Sequence, residues 1–331
     1  MGSLAFWAQK KTAATDQTKA VMNFNLWSQC DEKGNSFLDI GFVVSHIFAS
    51  SFLHFYIPFG TESDITDLSS IIKEASVIGA IFNEKYSVTD LPDTPSFWPV
   101  RDEAKEQPAF VIYSWSGQPD TAVSIRKDNN IPGVFIDIDV QKIEKQLETL
   151  SNASTLMNGD FYFRFRINIP SPEGEDAIVR KYKPANTFLQ STFATTYIID
   201  FRFNDNRSLP ASVSNAIIQK GNDFVGVSKL HFLLMTKAHV DVETGAEGVS
   251  IRELERDIWD DYIGERFNSK DIVAYHTAKK SETKQWEFFA KLKVNNSTTK
   301  VVLTYLGALG VITTVLNVFS TWICKLLGLS P

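Results

Sequence analysis

The sequence predicts an α+β fold with a mostly antiparallel sheet and several short helices, plus one C-terminal transmembrane helix. Residues 160–169 alternate between apolar and polar side chains, which indicates a strand with one buried and one wetter face. Other short runs rich in Phe, Val, Ile and Tyr are separated by polar or glycine-containing breaks, as expected for strands joined by turns. Residues 301–324 carry no charged side chain, which predicts a membrane-spanning helix.

The composition is that of a folded protein whose main partner is not nucleic acid. Of 331 residues, 44% are hydrophobic and 12% are aromatic, so the chain can bury a large core and is not a disordered tail. Nucleic-acid-binding proteins usually carry an excess of Lys and Arg on one face, whereas this chain has a net charge of −6. Cys30 and Cys324 are too few for a disulfide framework or a cysteine-rich metal site, which fits a reducing, cytosolic environment.

Residues 21–150 are predicted to form the first half of a cytoplasmic α+β region, after a flexible N-terminus over residues 1–20. Apolar runs predict strands at 21–29, 36–44, 50–59, 109–115, 121–126 and 133–140. Helical spacing of apolar residues predicts helices at 67–73, 74–83 and 141–150. Four prolines predict an irregular loop over residues 91–108, and residues 151–159 are the expected boundary of this half.

Residues 160–294 are predicted to form the second half of the cytoplasmic region. Strands are expected at 160–169, 192–203, 229–242, 272–277 and 286–294, and helices at 210–220 and 250–263. Ser250 and Glu253 have the spacing of a capping box at the start of the last of these helices. Because a strand, a turn and a helix recur in both halves, the second half is a candidate structural repeat of the first.

A linker at 295–300 leads into the predicted transmembrane helix at 301–324. At about 1.5 Å per residue the helix spans about 36 Å, enough to cross a hydrocarbon core of about 30 Å. Tyr305 and Trp322 lie near its ends, where aromatic side chains anchor at membrane interfaces. Six lysines lie between residues 279 and 300, but only Lys325 follows the helix. This asymmetry predicts a single-pass protein with its N-terminal domain in the cytoplasm and its C-terminus on the far side.

One stripe of the predicted membrane helix is small or polar. Its residues recur at spacings of three and four, and they are Gly310, Thr313, Thr314, Asn317, Ser320 and Thr321. Because an amide in hydrocarbon seeks a hydrogen-bonding partner and small residues let helices approach closely, the stripe favours a homo-oligomer within the lipid bilayer. The alternative is that the polar side chains bond to the backbone of their own helix, which is then only an anchor.

Asp137 and Asp139 are the residues most suggestive of catalysis. Two carboxylates two residues apart on a strand face the same side and can share a divalent cation. The opposite face of that strand is apolar, so the alternative is an ordinary amphipathic strand with its aspartates in solvent. The five histidines have no metal-binding spacing, and the sequence contains no recognisable cofactor-binding motif.

Four arginines are candidate ligand-binding residues. Arg164, Arg166 and Arg202 are expected to point outward from neighbouring strands, and Arg207 lies nearby in the sequence. Guanidinium groups bind phosphate or carboxylate, which predicts a small anionic ligand. Asp200 lies on the same face as Arg202, so the alternative is a ladder of ion pairs without a ligand.

The sequence favours a non-enzymatic function at a membrane. A cytoplasmic α+β domain that senses a ligand or a protein partner, and acts at or on the membrane through an oligomerising helix, accounts for both the folded region and the polar stripe. A soluble domain followed by one membrane helix resembles the layout of membrane-acting effectors in prokaryotic immune systems, which implies antiviral defence. The alternatives are a membrane-tethered, metal-dependent enzyme that uses Asp137 and Asp139, and a non-catalytic membrane adaptor.

Overall fold

The computed structural model describes residues 2–12, 14–28, 36–91, 96–118, 120–150, 153–169, 178–182, 194–219, 222–254, 256–264, 271–295 and 299–328. In chain order the strands are β1 (Ala5–Lys10), β2 (Lys19–Trp27), β3 (Phe37–Ser45), β4 (Ser50–Ile57), β5 (Ile65–Asp67), β6 (Tyr86–Val88), β7 (Phe97–Asp102), β8 (Gln107–Tyr113), β9 (Val123–Arg126), β10 (Val134–Asp139), β11 (Phe161–Asn168), β12 (Val179–Lys181), β13 (Ala194–Phe203), β14 (Asp223–Phe224), β15 (Gly226–Lys237), β16 (Asp241–Thr244), β17 (Ser250–Glu253), β18 (Ile272–Lys279) and β19 (Trp286–Asn295). The α-helices are α1 (Ser69–Ile72), α2 (Ala75–Phe82), α3 (Val140–Glu148), α4 (Ala153–Met157), α5 (Ala211–Gln219), α6 (Arg256–Ile263) and α7 (Thr299–Leu326).

The strands form three sheets. The largest has the order β17-β18-β15-β2-β3-β11-β8-β7-β6, and β5 also pairs with β11. It is mixed, because the pairs β2–β15 and β8–β11 are parallel, and it contains strands from both predicted halves of the chain. The two smaller sheets, β14-β1-β4-β10-β9 and β12-β13-β19-β16, are antiparallel. Short helices and mostly antiparallel sheets agree with the predicted α+β class.

The main hydrophobic core lies between one face of the large sheet and the two smaller sheets. Every second side chain of a strand points to the same face, so alternating apolar residues line this layer. Phe42 of the large sheet contacts Phe55 of the five-stranded sheet, with ring centroids 6.1 Å apart. Phe24 of the large sheet contacts Phe201 of the four-stranded sheet, with centroids 4.8 Å apart. One continuous core therefore joins the three sheets.

Helices α1, α2 and α6 cover the opposite face of the large sheet. Ile78 and Trp259 from these helices share a second hydrophobic cluster with Trp27, Tyr162 and Met235 from the strands. The sequence predicts a wetter face for the strand at 160–169, but β11 is buried on both faces along almost all of its length. Alternation alone does not reveal that helices distant in the sequence lie over the polar side chains.

The prediction of a flexible N-terminus is wrong for residues 5–10, which form strand β1. Ala5–Lys10 is an interior strand between β4 and β14, and the Phe6 side chain is fully buried. The apolar run is short and is followed by polar residues, so its sequence resembles a frayed end. Its stability comes from pairing with β4, which is more than 40 residues away in the chain.

Two further local predictions are wrong. Pro99 and Pro108 lie within the paired strands β7 and β8 and not in an irregular loop, because the φ of proline is compatible with extended backbone. Residues 92–95 of that predicted loop lie outside the described residues. Ser250 and Glu253 belong to the edge strand β17, and the helix that follows begins at Arg256. Pairing with β18 overrides the local capping pattern.

Helix α5 covers the outer face of the five-stranded sheet, close to where the sequence predicts a helix. Val213 and Ile217 of α5 share a third hydrophobic cluster with Trp7, Tyr56 and Phe135 of the sheet. Pairing among β1, β4, β10 and β9 places polar side chains next to this cluster. The candidate functional site lies there.

Candidate functional site

A cavity of about 250 Å³ lies between α5 and the outer face of the five-stranded sheet. Strands β1, β4, β9 and β10 contribute one side, and the first two turns of α5 contribute the other. The lining residues are Trp7, His54, Arg126, Asp128, Ile131, Phe135, Ser212, Val213, Ala216 and Asn222.

Asp137, one of the predicted catalytic residues, joins three strands beside this cavity. On β10 it is paired with His54 of β4, and its side chain also reaches Arg126 of β9. The His54 Nδ1 atom lies 2.7 Å from Asp137 Oδ1, and Arg126 Nε donates to Asp137 Oδ2 at 2.5 Å. Burial alone raises the pKa of the Asp137 carboxyl, but the hydrogen bonds from His54 and Arg126 outweigh burial and hold the pKa below its usual range. Asp137 is therefore ionised at neutral pH, and His54 donates its Nδ1 proton to it.

Aromatic rings surround these charged groups. The Trp7 ring stacks on the His54 imidazole, with centroids 5.2 Å apart and an interplanar angle of 24°. The guanidinium carbon of Arg126 lies 4.1 Å from the centroid of the Phe135 ring, in cation–π geometry. Trp7 and Phe135 are buried, whereas the Arg126 side chain is 49% exposed. The rings are thus fixed by the sheet, and the guanidinium group lies at the mouth of the cavity.

Asn222 contributes an unsatisfied hydrogen-bond acceptor to the cavity lining. Its Oδ1 atom is buried and has no hydrogen-bond partner, while its Nδ2 atom donates to the carbonyl of Ala216 at 3.4 Å. A buried acceptor without a donor costs about 1–3 kcal/mol. Asp128 adds a carboxylate, one oxygen of which accepts from the backbone N–H of Asn130 at 2.9 Å.

Asp139 does not join Asp137 at this site. Its Oδ1 atom accepts from the backbone N–H of Lys142 at 3.0 Å, so the side chain caps the N-terminus of α3. Within the described parts of the chain, no three His, Cys, Asp or Glu side chains are grouped so that they could hold a metal ion. The two predicted carboxylates have separate roles in the structure.

Arg164 and Arg166 lie beneath helix α6 in a buried polar network. Arg166 donates Nε and Nη2 to the two carboxylate oxygens of Asp39, at 2.7 and 3.0 Å. Arg164 donates Nε to the Tyr262 hydroxyl at 2.7 Å and Nη1 to the Tyr162 hydroxyl at 3.0 Å. The Tyr262 hydroxyl in turn donates to Asp39 Oδ2 at 2.7 Å. The network joins α6 to strands β3 and β11.

The surroundings of Arg164 keep it charged and enclosed. Burial alone lowers the pKa of the Arg164 guanidinium, but Tyr162, Tyr262 and Asp39 together raise it above the ordinary value. The side chain has no exposed surface. A β-carbon on Gly41 of the neighbouring strand would lie only 2.6 Å from Arg164 Nη1, so glycine makes room for the guanidinium group.

Arg202 and Arg207 are separated from this network and are each paired with an aspartate. Arg202 donates Nε and Nη2 to the two oxygens of Asp200, both at 3.0 Å. Arg207 donates Nε to Asp205 Oδ1 at 3.0 Å. Each arginine lines one of two surface depressions, and Glu287 lines both. The structure thus divides the four predicted arginines between a buried site and the surface.

Helix α7 is long and apolar enough to span a membrane. Its stretch Tyr305–Leu326 has 22 residues with a mean hydropathy of 1.6, and none of this stretch is buried. The predicted interface residues Tyr305 and Trp322 lie near its two ends, and Trp322 is 59% exposed.

Part of the polar stripe of α7 forms hydrogen bonds within its own helix. The hydroxyls of Thr313, Thr314 and Thr321 donate to backbone carbonyls four residues earlier, each at 2.8 Å. Gly310, Asn317 and Ser320 complete the stripe, and all of them are exposed. Asn317 is thus the one residue of this stripe that has a side-chain amide.

His54, Arg126 and Asn222 are site residues that sequence reasoning misses. His54 and Asp137 are 83 residues apart and meet because β4 pairs with β10. Alternation along the two strands indicates only that both side chains leave the core. The pairing order and the position of α5, which close the cavity, have no local signal in the sequence.

Comparison with known proteins does not place the chain in a family. No model of a protein family matches it, and no curated protein matches it.

Proposed function

We propose that this protein is a single-pass membrane receptor. Its cytoplasmic α+β domain binds a small ligand or a protein partner, and its last helix acts in the membrane by self-association. The observation that carries the proposal is α7, whose 22-residue apolar stretch has no buried residue. Soluble proteins rarely leave an apolar surface of this size in water, whereas a lipid bilayer solvates it.

The charges near α7 support the topology of this proposal. Strand β19 ends at Asn295 and α7 begins at Thr299, so the folded domain lies beside the bilayer. Six lysines between residues 279 and 300 precede the helix, and only Lys325 follows it. Lys and Arg are retained on the cytoplasmic side, which favours a cytoplasmic domain and a C-terminus on the far side.

Asn317 supports self-association of the helix. The hydroxyls of Thr313, Thr314 and Thr321 donate to the backbone of their own helix, so these three groups need no partner on another helix. The amide of Asn317 has both donors and an acceptor, and pairing with the same amide of a second helix contributes about 0.6–2 kcal/mol in hydrocarbon. Gly310, on the same stripe, allows two helices to approach closely.

An effector in a prokaryotic antiviral defence system is the setting that we propose for this arrangement. Such a protein needs a cytoplasmic binding domain and a membrane part that responds, and the cavity beside His54 provides a place for a ligand. The geometry supports a metal-dependent enzyme less well, because Asp139 caps a helix and Asp137 is bonded to both His54 and Arg126.

Membrane flotation, cross-linking and membrane-potential measurements test the proposal. The full chain, a chain ending at Asn295, Asn317→Leu and the control Val318→Leu are expressed in bacteria. We expect the full chain to float with membrane vesicles and the shorter chain to stay soluble. Asn317→Leu should still float but lose cross-linked oligomers and any effect on membrane potential, whereas Val318→Leu should behave like the wild type.

Each part of the proposal has a result that contradicts it. Flotation of the chain ending at Asn295 refutes anchoring by α7. Unchanged oligomers in Asn317→Leu refute the role of this amide in self-association. A full chain that floats and oligomerises but never alters growth or membrane potential, with or without stress, indicates an adaptor instead of an effector.

A further inference from the structure

We propose that the cavity between α5 and the five-stranded sheet binds a small planar heteroaromatic group that carries N–H donors. This is the chemistry of an amino-substituted purine or pyrimidine base. The proposal deepens the proposed function and rests on it, because it names the ligand class of the receptor domain.

The size of the cavity fits one or two rings. Its volume is about 250 Å³. An apolar cavity of about 150 Å³ holds benzene, and pockets for drug-sized ligands begin at about 300 Å³. A fused two-ring base lies between these limits.

The walls favour a flat ligand with a π system. Trp7, His54 and Phe135 line the cavity, and the first two are already stacked on each other. The Arg126 guanidinium carbon lies 4.1 Å from the centroid of the Phe135 ring, and the half-exposed Arg126 side chain adds a second type of surface on which a flat ligand can stack. Aromatic side chains and arginine planes are the surfaces on which bases stack in proteins.

Asn222 and Asp128 give the lining two groups that accept hydrogen bonds. Asn222 Oδ1 is buried and has no partner, so it requires a donor that the protein does not supply. Asp128 offers a carboxylate as a second acceptor. A ligand with exocyclic or ring N–H groups satisfies these atoms.

The charges of the site argue against an anion as the occupant. Arg126 is the one Lys or Arg side chain in the described lining, and it is already paired with the Asp137 carboxylate. Asp128 adds a negative charge. A purely apolar ligand would leave Asn222 Oδ1 unpaired in the complex, so a neutral ring with N–H donors matches the cavity best.

Binding of three probes to the full chain in detergent micelles tests the proposal. Adenine, cytosine and unsubstituted purine are compared by saturation-transfer NMR and calorimetry. Purine has the ring system of adenine without its amino group, so it is a matched ligand. We expect adenine and cytosine to bind and purine to bind about tenfold more weakly, because purine keeps a ring N–H but lacks the amino group, and one acceptor of the lining is then left unpaired.

Two variants and their controls locate the site. Asn222→Leu should reduce the affinity for adenine to that for purine. Asn158 is exposed and lies outside the cavity, so Asn158→Leu should leave the affinity for both ligands unchanged. Ala216→Trp fills the cavity from α5 and should abolish binding, whereas Asn215→Trp, on the exposed face of the same helix, should not. Circular dichroism confirms that each variant is folded.

The proposal is overturned if none of the three probes binds the folded wild-type chain at millimolar concentration. It is also overturned if purine binds as tightly as adenine, or if Ala216→Trp binds adenine like the wild type. The same protein, reconstituted into lipid vesicles, is also tested by flotation, so that failure of the ligand class can be distinguished from failure of the proposed function. A chain that floats but binds no base refutes the ligand class alone, and a chain that does not float refutes the membrane receptor.

Discussion

Replacing Asp39 with Asn is expected to weaken the attachment of α6 to the large sheet. The Asp39 carboxylate is fully buried and accepts hydrogen bonds from Arg166, from Trp27 Nε1 at 3.1 Å and from the Tyr262 hydroxyl. It also faces the nearby positive charge of Arg164. An amide has the same shape, but it removes the negative charge that balances the two guanidinium groups.

The expected loss in the free energy of unfolding is large for Asp39→Asn, although the new side chain has the same shape. Removing one partner of a buried ion pair costs about 3–5 kcal/mol. Tyr262→Phe keeps the ring and removes only the hydroxyl between Arg164 and Asp39, which costs about 1.5–3 kcal/mol for a hydrogen bond to a charged group. At about 2 °C per kcal/mol for a chain of this size, the Tm should fall by about 6–10 °C for Asp39→Asn and by about 3–6 °C for Tyr262→Phe.

Thermal unfolding of the chain ending at Asn295, followed by circular dichroism at neutral pH, measures both changes. Tyr182→Phe is the matched control, because Tyr182 is 52% exposed and its hydroxyl lies outside the network. Its Tm should stay within about 1 °C of the wild type. If Asp39→Asn also melts within that range, the buried network does not contribute to stability and the reasoning is wrong.

Three other changes test separate parts of the structure. Gly133→Ala should lower the free energy of unfolding by about 3 kcal/mol, because φ is +89° and a β-carbon would collide with the carbonyl oxygen of Ile57. Gly117→Ala is the control, because φ is also positive there but the space around it is open, and it should lower this free energy by only about 1–2 kcal/mol. Thermal melts of the two variants measure the difference. Asp137→Asn should be less stable than the wild type at neutral pH, and the difference should shrink as the pH falls below about 4, because a lowered folded-state pKa stabilises the fold only while the carboxylate is ionised. Melts that show a constant difference down to about pH 2 contradict that sign. Asn317→Leu should weaken helix association in vesicles roughly fivefold, measured by energy transfer between labelled chains, and an unchanged signal excludes the amide as a contact.

Features that depend on local sequence could be predicted. The apolar length of α7, the strand β11 and the helix α5 are each visible within about 30 residues of sequence, since periodicity indicates the type of element. The sequence also identifies Asp137 as notable. The sequence also predicts that Asp139 lies beside Asp137, because alternate residues of a strand face the same side. Asp139 is instead the last residue of β10, and its side chain caps α3.

Features that depend on distant pairing could not be predicted. Arg164 and Arg166 have the pattern of a solvent-facing strand, and they are buried because Tyr262 arrives almost 100 residues later with α6. The cavity lining is likewise drawn from Trp7 through Asn222. No local periodicity encodes which strands become neighbours, and so the candidate site emerges only from the assembled sheets.

The position of β19 determines how force from the bilayer would enter the domain. Strand β19 lies inside the four-stranded sheet, paired with β13 at ten positions and with β16 at four. Hydrogen bonds between antiparallel strands run perpendicular to the strand axis. A pull on α7 along that axis therefore loads these bonds together in shear, and they do not open one after another like a zipper. If α7 is anchored in a bilayer as proposed, the domain is held at a mechanically resistant strand, and a tilt or rotation of the helix would displace this strand as a whole.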